Sequence, residues 1–205
     1  MSNRHIVTVA ILAAIGGGCA SVERPDCTAE PGSPAIAITR VHNSMRRSEA
    51  SGPELEVAAW PDGRLVWMPQ GPGSTADLLE AHIEPQKVSA LLGRLRNEHA
   101  FEAGSFRRFW VGVDSDYVVI QLVSGNECVR LQSWHESFEG IPNLATVNGT
   151  GFVLQGESRE EVMARATPEW LQSLQVWRDV RSTVAGWIPA DGEPCAVPVD
   201  LQGPW

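Results

Sequence analysis

Lysine is almost missing from this chain: Lys87 is the only one among 205 residues, and 16 Lys+Arg stand against 25 Asp+Glu. Nucleic-acid binding draws on clustered cations that displace counterions, and an anionic membrane surface calls for a polybasic segment. A net charge of −9 suits neither partner. The four cysteines, Cys19, Cys27, Cys128 and Cys195, never fall at CxxC or CxxH spacing, so a zinc site or a thioredoxin-type redox centre has no basis in the sequence. No apolar run reaches the roughly 18 residues of a membrane-spanning helix, and no long internal repeat is present. What remains is a chain that is 43% hydrophobic, too apolar and too weakly charged for a disordered tail.

The most informative segment is Met1 to Ala20. Arg4 gives a short positive start, Ile6 to Ile15 is a ten-residue apolar stretch, and Gly16-Gly17-Gly18-Cys19 follows with no acid before Glu23. As a helix that stretch rises only about 15 Å, half of the roughly 30 Å hydrocarbon thickness. Three consecutive glycines would also end a core helix abruptly. The pattern is that of an export signal. It resembles a bacterial lipoprotein signal peptide, in which small residues precede a cysteine that is acylated and becomes the mature N-terminus. Gly17 and Gly18 match the small positions, and Gly16 stands where Leu is usual, with Ile15 one place further back. The resemblance implies a signal peptide over 1–18, lipidation of Cys19 and a membrane anchor in the cell envelope. Each buried CH₂ of the acyl chains would add roughly 0.8 kcal/mol to that anchor. The alternative is ordinary cleavage after Ala20, with Gly18 and Ala20 in the small-residue sites, giving a soluble periplasmic protein.

Residues 19–34 carry three prolines and no periodicity, and read as a tether. A single domain is expected over 35–190 and an irregular tail over 191–205. An oxidising compartment permits a disulfide. With Cys19 acylated three thiols remain, and three pairings are open. Cys27 with Cys195 is the favoured one, because joining two Pro-rich terminal segments closes a long loop, nominally worth up to about 5 kcal/mol. Cys128 lies in an expected strand and reads as a small apolar residue.

Ala35 to Val41 alternates as a strand does. Leu55 to Trp60 and Arg64 to Met68 flank Pro61-Asp62-Gly63, a turn sequence, so a hairpin is expected with Trp60 and Trp67 near each other across it. Pro85 opens a helix, where Val88, Leu91, Leu92, Leu95 and His99 form one apolar stripe and Gly93 faces out. Asp116 to Val123 and Glu127 to Trp134 make a second hairpin around Ser124-Gly125-Asn126. Residues 135–157 read as a loop with a short strand near Gly151 to Leu154. Ser158-Arg159-Glu160-Glu161 is a capping-box sequence, and Thr167-Pro168-Glu169 starts a longer helix in which Trp170, Leu171, Leu174, Trp177, Val180, Arg181 and Val184 share a face up to Gly186. The order predicts an α+β fold: a mainly antiparallel sheet of about five strands with helices on one face.

The Trp60-Pro61-Asp62-Gly63-Arg64-Leu65-Val66-Trp67 hairpin, the Leu91-Leu92 helix, Asp116 before its strand and Trp187-Ile188-Pro189 are similar to uncharacterised exported bacterial α+β proteins. That likeness implies a fold and carries over no catalytic residue.

Candidate chemistry is thin. His135, Glu136 and Glu139 have no second histidine at i+4, so a zincin arrangement fails. Asp114 and Asp116 flank Ser115 without the further carboxylates of an EF-hand. Ser74, Ser105 and Ser133 lack a Gly-x-Ser-x-Gly elbow, and Asn148-Gly149-Thr150-Gly151 lacks the lysine of a phosphate loop. No catalytic, metal or cofactor site is therefore assigned. Most of the eight tryptophans read as core, and Trp110, in Phe106-Arg107-Arg108-Phe109-Trp110, is the candidate for an exposed binding contact. The sequence points to a lipid-anchored envelope protein that binds a partner or ligand. The alternative is an exported hydrolase acting on envelope material, with Asp114, Asp116 or Glu136 as its acids.

Overall fold

A computed structural model describes residues 31–42, 53–69, 77–101 and 116–196. Seven strands form one antiparallel sheet in the order β6-β5-β1-β2-β3-β4-β9. They are β1 (Ile36–Val41), β2 (Glu54–Ala59), β3 (Arg64–Trp67), β4 (Leu78–His82), β5 (Tyr117–Ser124), β6 (Glu127–Ser133) and β9 (Glu193–Cys195). A separate hairpin is made of β7 (Leu144–Val147) and β8 (Thr150–Val153). The helices are α1 (Pro85–Asn97), α2 (Glu136–Glu139), α3 (Arg159–Met163) and α4 (Pro168–Ala185). The mixed α/β architecture agrees with the expectation, and the main sheet has two strands more than the five expected.

Both expected hairpins form. In the first, Gly63 takes φ +89° and donates its N–H to Trp60 O, while Ile83 N–H reaches Gly63 O at 2.8 Å. A side chain at Gly63 would run into the Ile83 carbonyl, so the positive φ and the close approach both demand glycine. Trp60 and Trp67 do not meet across this hairpin. Trp67 pairs with Val57, and alternation along the strands sends Trp67 with Val57, Ala59 and Leu65 into the larger core, and Trp60 with Ala58 and Val66 into a smaller one. The extra β4 and β9 complete the sheet beyond β3: Leu79 pairs with Trp67 and with Pro194. Part of the expected irregular tail is therefore an edge strand.

The larger core joins Ile36, Ile38, Val118, Ile120 and Leu122 of the strands to Val88, Leu91, Leu92 and Leu95 of α1 and Val176, Trp177, Val180 and Val184 of α4. Each fully buried Leu or Val there contributes about 2 kcal/mol by removal from water. Arg94 clamps Asp179 with two 3.0 Å hydrogen bonds, tying α1 to α4. The stripe of α1 ends earlier than its spacing suggested. His99 lies past the helix end, is exposed, and has φ +61°, so Ala100 and Phe101 close the stripe instead. Leu171, assigned to the apolar face of α4, is 49% exposed.

The capping box at Ser158 and Glu161 forms as read, as does the Thr167 cap of α4. A third cluster packs Ala145 and Val147 of β7 against Val162 of α3 and Trp170 and Leu174 of α4. The α4 helix thus serves two cores, its first half this cluster and its second half the main one.

Candidate functional site

A cavity of about 100 Å³ opens where these two halves of α4 meet the end of β6. Its apolar wall is Ala145, Met163, Trp170 and Leu174, and its polar groups are His135, Glu139, Thr146, Arg159 and Arg178. Alternation on β7 buries Ala145, and the adjacent Thr146 Oγ1 is sealed from solvent with no hydrogen-bond partner among the described residues. Arg159 enters from the first turn of α3 and rests one Nη on Ile141 O at 3.1 Å. Arg178 comes from α4, one residue after Trp177.

His135, which caps α2, is the best defined polar group of this wall. It is 3% exposed and lies edge-on to Trp177, with ring centroids 5.0 Å apart. Ser133 Oγ accepts the His135 backbone N–H at 3.2 Å and sits 2.5 Å from Nδ1. Both contacts are satisfied when the hydroxyl donates to Nδ1. Nε2 faces Glu139 at 3.9 Å. Burial pushes the His135 pKa below its usual value, with Glu139 and Glu136 opposing the shift and Arg178 and Arg181 adding to it. The shift favours the neutral imidazole. Glu139 also lies 3.8 Å from Arg178, and both of these side chains are more than half exposed. Two guanidiniums against one carboxylate make the lining net positive on a strongly acidic chain.

Behind the cavity runs an ion-pair network. Arg181 binds Glu56 through Nη1 and Glu136 through Nε and Nη2, at 2.9 and 3.0 Å. Arg40 holds the other Glu56 oxygen at 2.8 Å, and Trp177 Nε1 donates to Glu136 at 2.6 Å. Burial works against the charge of Arg181, and Glu56 and Glu136 outweigh it, so its pKa lies above the usual arginine value. Nearby, His42 bridges Asp116 at 2.8 Å and Glu54 at 3.0 Å.

The residues singled out from sequence fare unevenly. Glu136 has both oxygens engaged by Arg181 and Trp177, and Asp116 contacts His42, so each has its own partners rather than a shared cleft. Among the described residues no group of three or more His, Cys, Asp and Glu could hold a metal ion. Cys19, Cys27, Trp110 and Asp114 lie outside the described residues. Cys195 is a free thiol on the edge strand β9, so the expected Cys27–Cys195 bridge is not formed. Its pKa is raised by burial and by Glu80, and it packs against the smaller core beside Leu78.

Sequence reasoning missed Thr146 as a lining residue because 135–157 read as loop, and missed Arg159, Met163, Leu174 and Arg178 because helical spacing does not show which elements converge on one cavity. The available signal was Asn148-Gly149: both take positive φ, as a two-residue hairpin turn requires, and they bring β7 and β8 together beside His135. Comparison with known protein families, curated proteins and solved structures finds no match for this chain.

Proposed function

We propose that this is a lipid-anchored bacterial envelope protein whose folded body binds a small ligand in the cavity beside His135. The cavity carries the binding half of this reading: a partly enclosed space with an apolar wall and a few convergent polar groups is the usual form of a ligand site. About 100 Å³ suits a molecule of roughly four to six heavy atoms, given that a 150 Å³ cavity admits benzene. The address rests on the export-signal pattern and Cys19. No helix among the described residues is long and apolar enough to cross a membrane, so a span there does not compete with an acyl anchor. The same reading puts α1 and α4 together on one face of the sheet, supported by their shared membership of the larger core. The hydrolase alternative draws no support from Asp116 and Glu136, which are engaged separately by His42 and by Arg181.

Binding is tested by ligand-observed NMR with a mixture of small neutral and charged organic molecules. Wild type should show saturation transfer to at least one of them. Met163→Trp, which fills the cavity from the half-buried end of α3, should abolish it. Equal transfer to both proteins would overturn the cavity as the binding site.

A further inference from the structure

We propose that the cavity selects a short-chain monocarboxylate, with its carboxylate at Arg178 and Arg159 and its hydrocarbon tail against Trp170, Leu174, Met163 and Ala145. This rests on the reading of the cavity as a ligand site and adds the chemical class of the ligand.

Four observations converge on it. The lining carries two guanidiniums, whose planar donor forks match a carboxylate, and one acid, Glu139. The Ser133 hydroxyl engages His135 Nδ1, so Nε2 is the nitrogen of this buried ring left to meet a ligand. Thr146 Oγ1 is a buried hydroxyl with no partner among the described residues, and burying such a group without a hydrogen bond is costly. The remaining wall is apolar and of a size for a chain of three or four carbons.

Glu139 occupies the position that the ligand would take. Its carboxylate lies 3.8 Å from Arg178 and 3.9 Å from His135 Nε2, too far to hydrogen-bond to either, and its side chain is half exposed. An incoming carboxylate displaces this loose contact and gains close ones. A cationic ligand would meet the two guanidiniums instead.

The experiment is a saturation-transfer titration of the full chain in detergent with butyrate, 1-butanol and n-butylamine. Butyrate should bind about tenfold more tightly than butanol, the scale of one charge-assisted hydrogen bond, and butylamine should bind least. Arg178→Ala should remove the preference for butyrate. Glu139→Gln should strengthen butyrate binding several-fold and leave butanol unchanged, which a merely structural Glu139 would not do. Both positions are exposed, so the fold is retained. Butanol or butylamine binding as tightly as butyrate overturns the anion class and leaves the cavity standing as a ligand site. No binding by any of the three, or undiminished binding by Met163→Trp, overturns both.

Discussion

His135 is neutral because its ring is packed against Trp177 and Trp170 and walled off from water. The unfolded chain protonates this histidine near its ordinary value of 6.5, and the folded chain only at lower pH. Between those two values the unfolded state holds the extra proton. The stability contributed by the site is therefore full above pH 6.5 and is lost as the pH falls through the folded value. His135→Gln should cost about 1–2 kcal/mol at pH 8, from the lost Ser133 bond and ring packing, and the deficit should shrink towards pH 5. Urea denaturation of both proteins across that range checks it, and a deficit that is constant or grows on acidification would contradict it. Gly63 gives a second test at the same scale. Gly63→Ala forces a side chain into the Ile83 carbonyl at φ +89°, and should lower stability by more than about 1 kcal/mol in the same measurement. Gly63 was legible from Pro-Asp-Gly alone, because the turn chemistry is local. His99 was not: helical spacing cannot tell the last turn of a helix from the left-handed residue that ends it.

Elements were legible where local chemistry and burial agree. Pro85, the buried stripe of α1, and the Ser158 and Thr167 caps all form as their residues indicate. Ser158→Ala removes the hydrogen bond to Glu161 N–H and should cost about 1 kcal/mol, seen as faster hydrogen exchange across α3. Leu95→Ala, at a fully buried position of α1, should cost about 2–5 kcal/mol by chemical denaturation. β4 escaped the sequence because Leu78-Leu79-Glu80-Ala81-His82 is built of helix formers. It is a strand because β3 and β9 flank it, and tertiary pairing overrides weak propensity. The candidate site was hidden for the same reason, since its lining converges from four separate elements. Arg181 ties three of the elements together. Its removal leaves Glu136 without its guanidinium and Glu56 with Arg40 alone, so Arg181→Ala should cost about 3 kcal/mol. A loss below about 0.5 kcal/mol would place this network among ordinary surface pairs.

At the scale of the whole molecule, the charge balance suits the proposed anchorage. Loss of residues 1–18 removes Arg4 and no acid, so the formal charge moves from −9 to −10. An anionic bilayer repels a body of that charge, which suits the proposed tethered form. Under the proposed reading, membrane residence rests on acyl chains at Cys19. The central claim is tested most directly by growing cells with a labelled fatty acid and measuring the intact mass and first residue of the purified protein. Wild type should carry label on a chain that begins at Cys19, and Cys19→Ala should carry none. An unlabelled chain beginning at Ser21, or one that keeps Met1, would contradict the account.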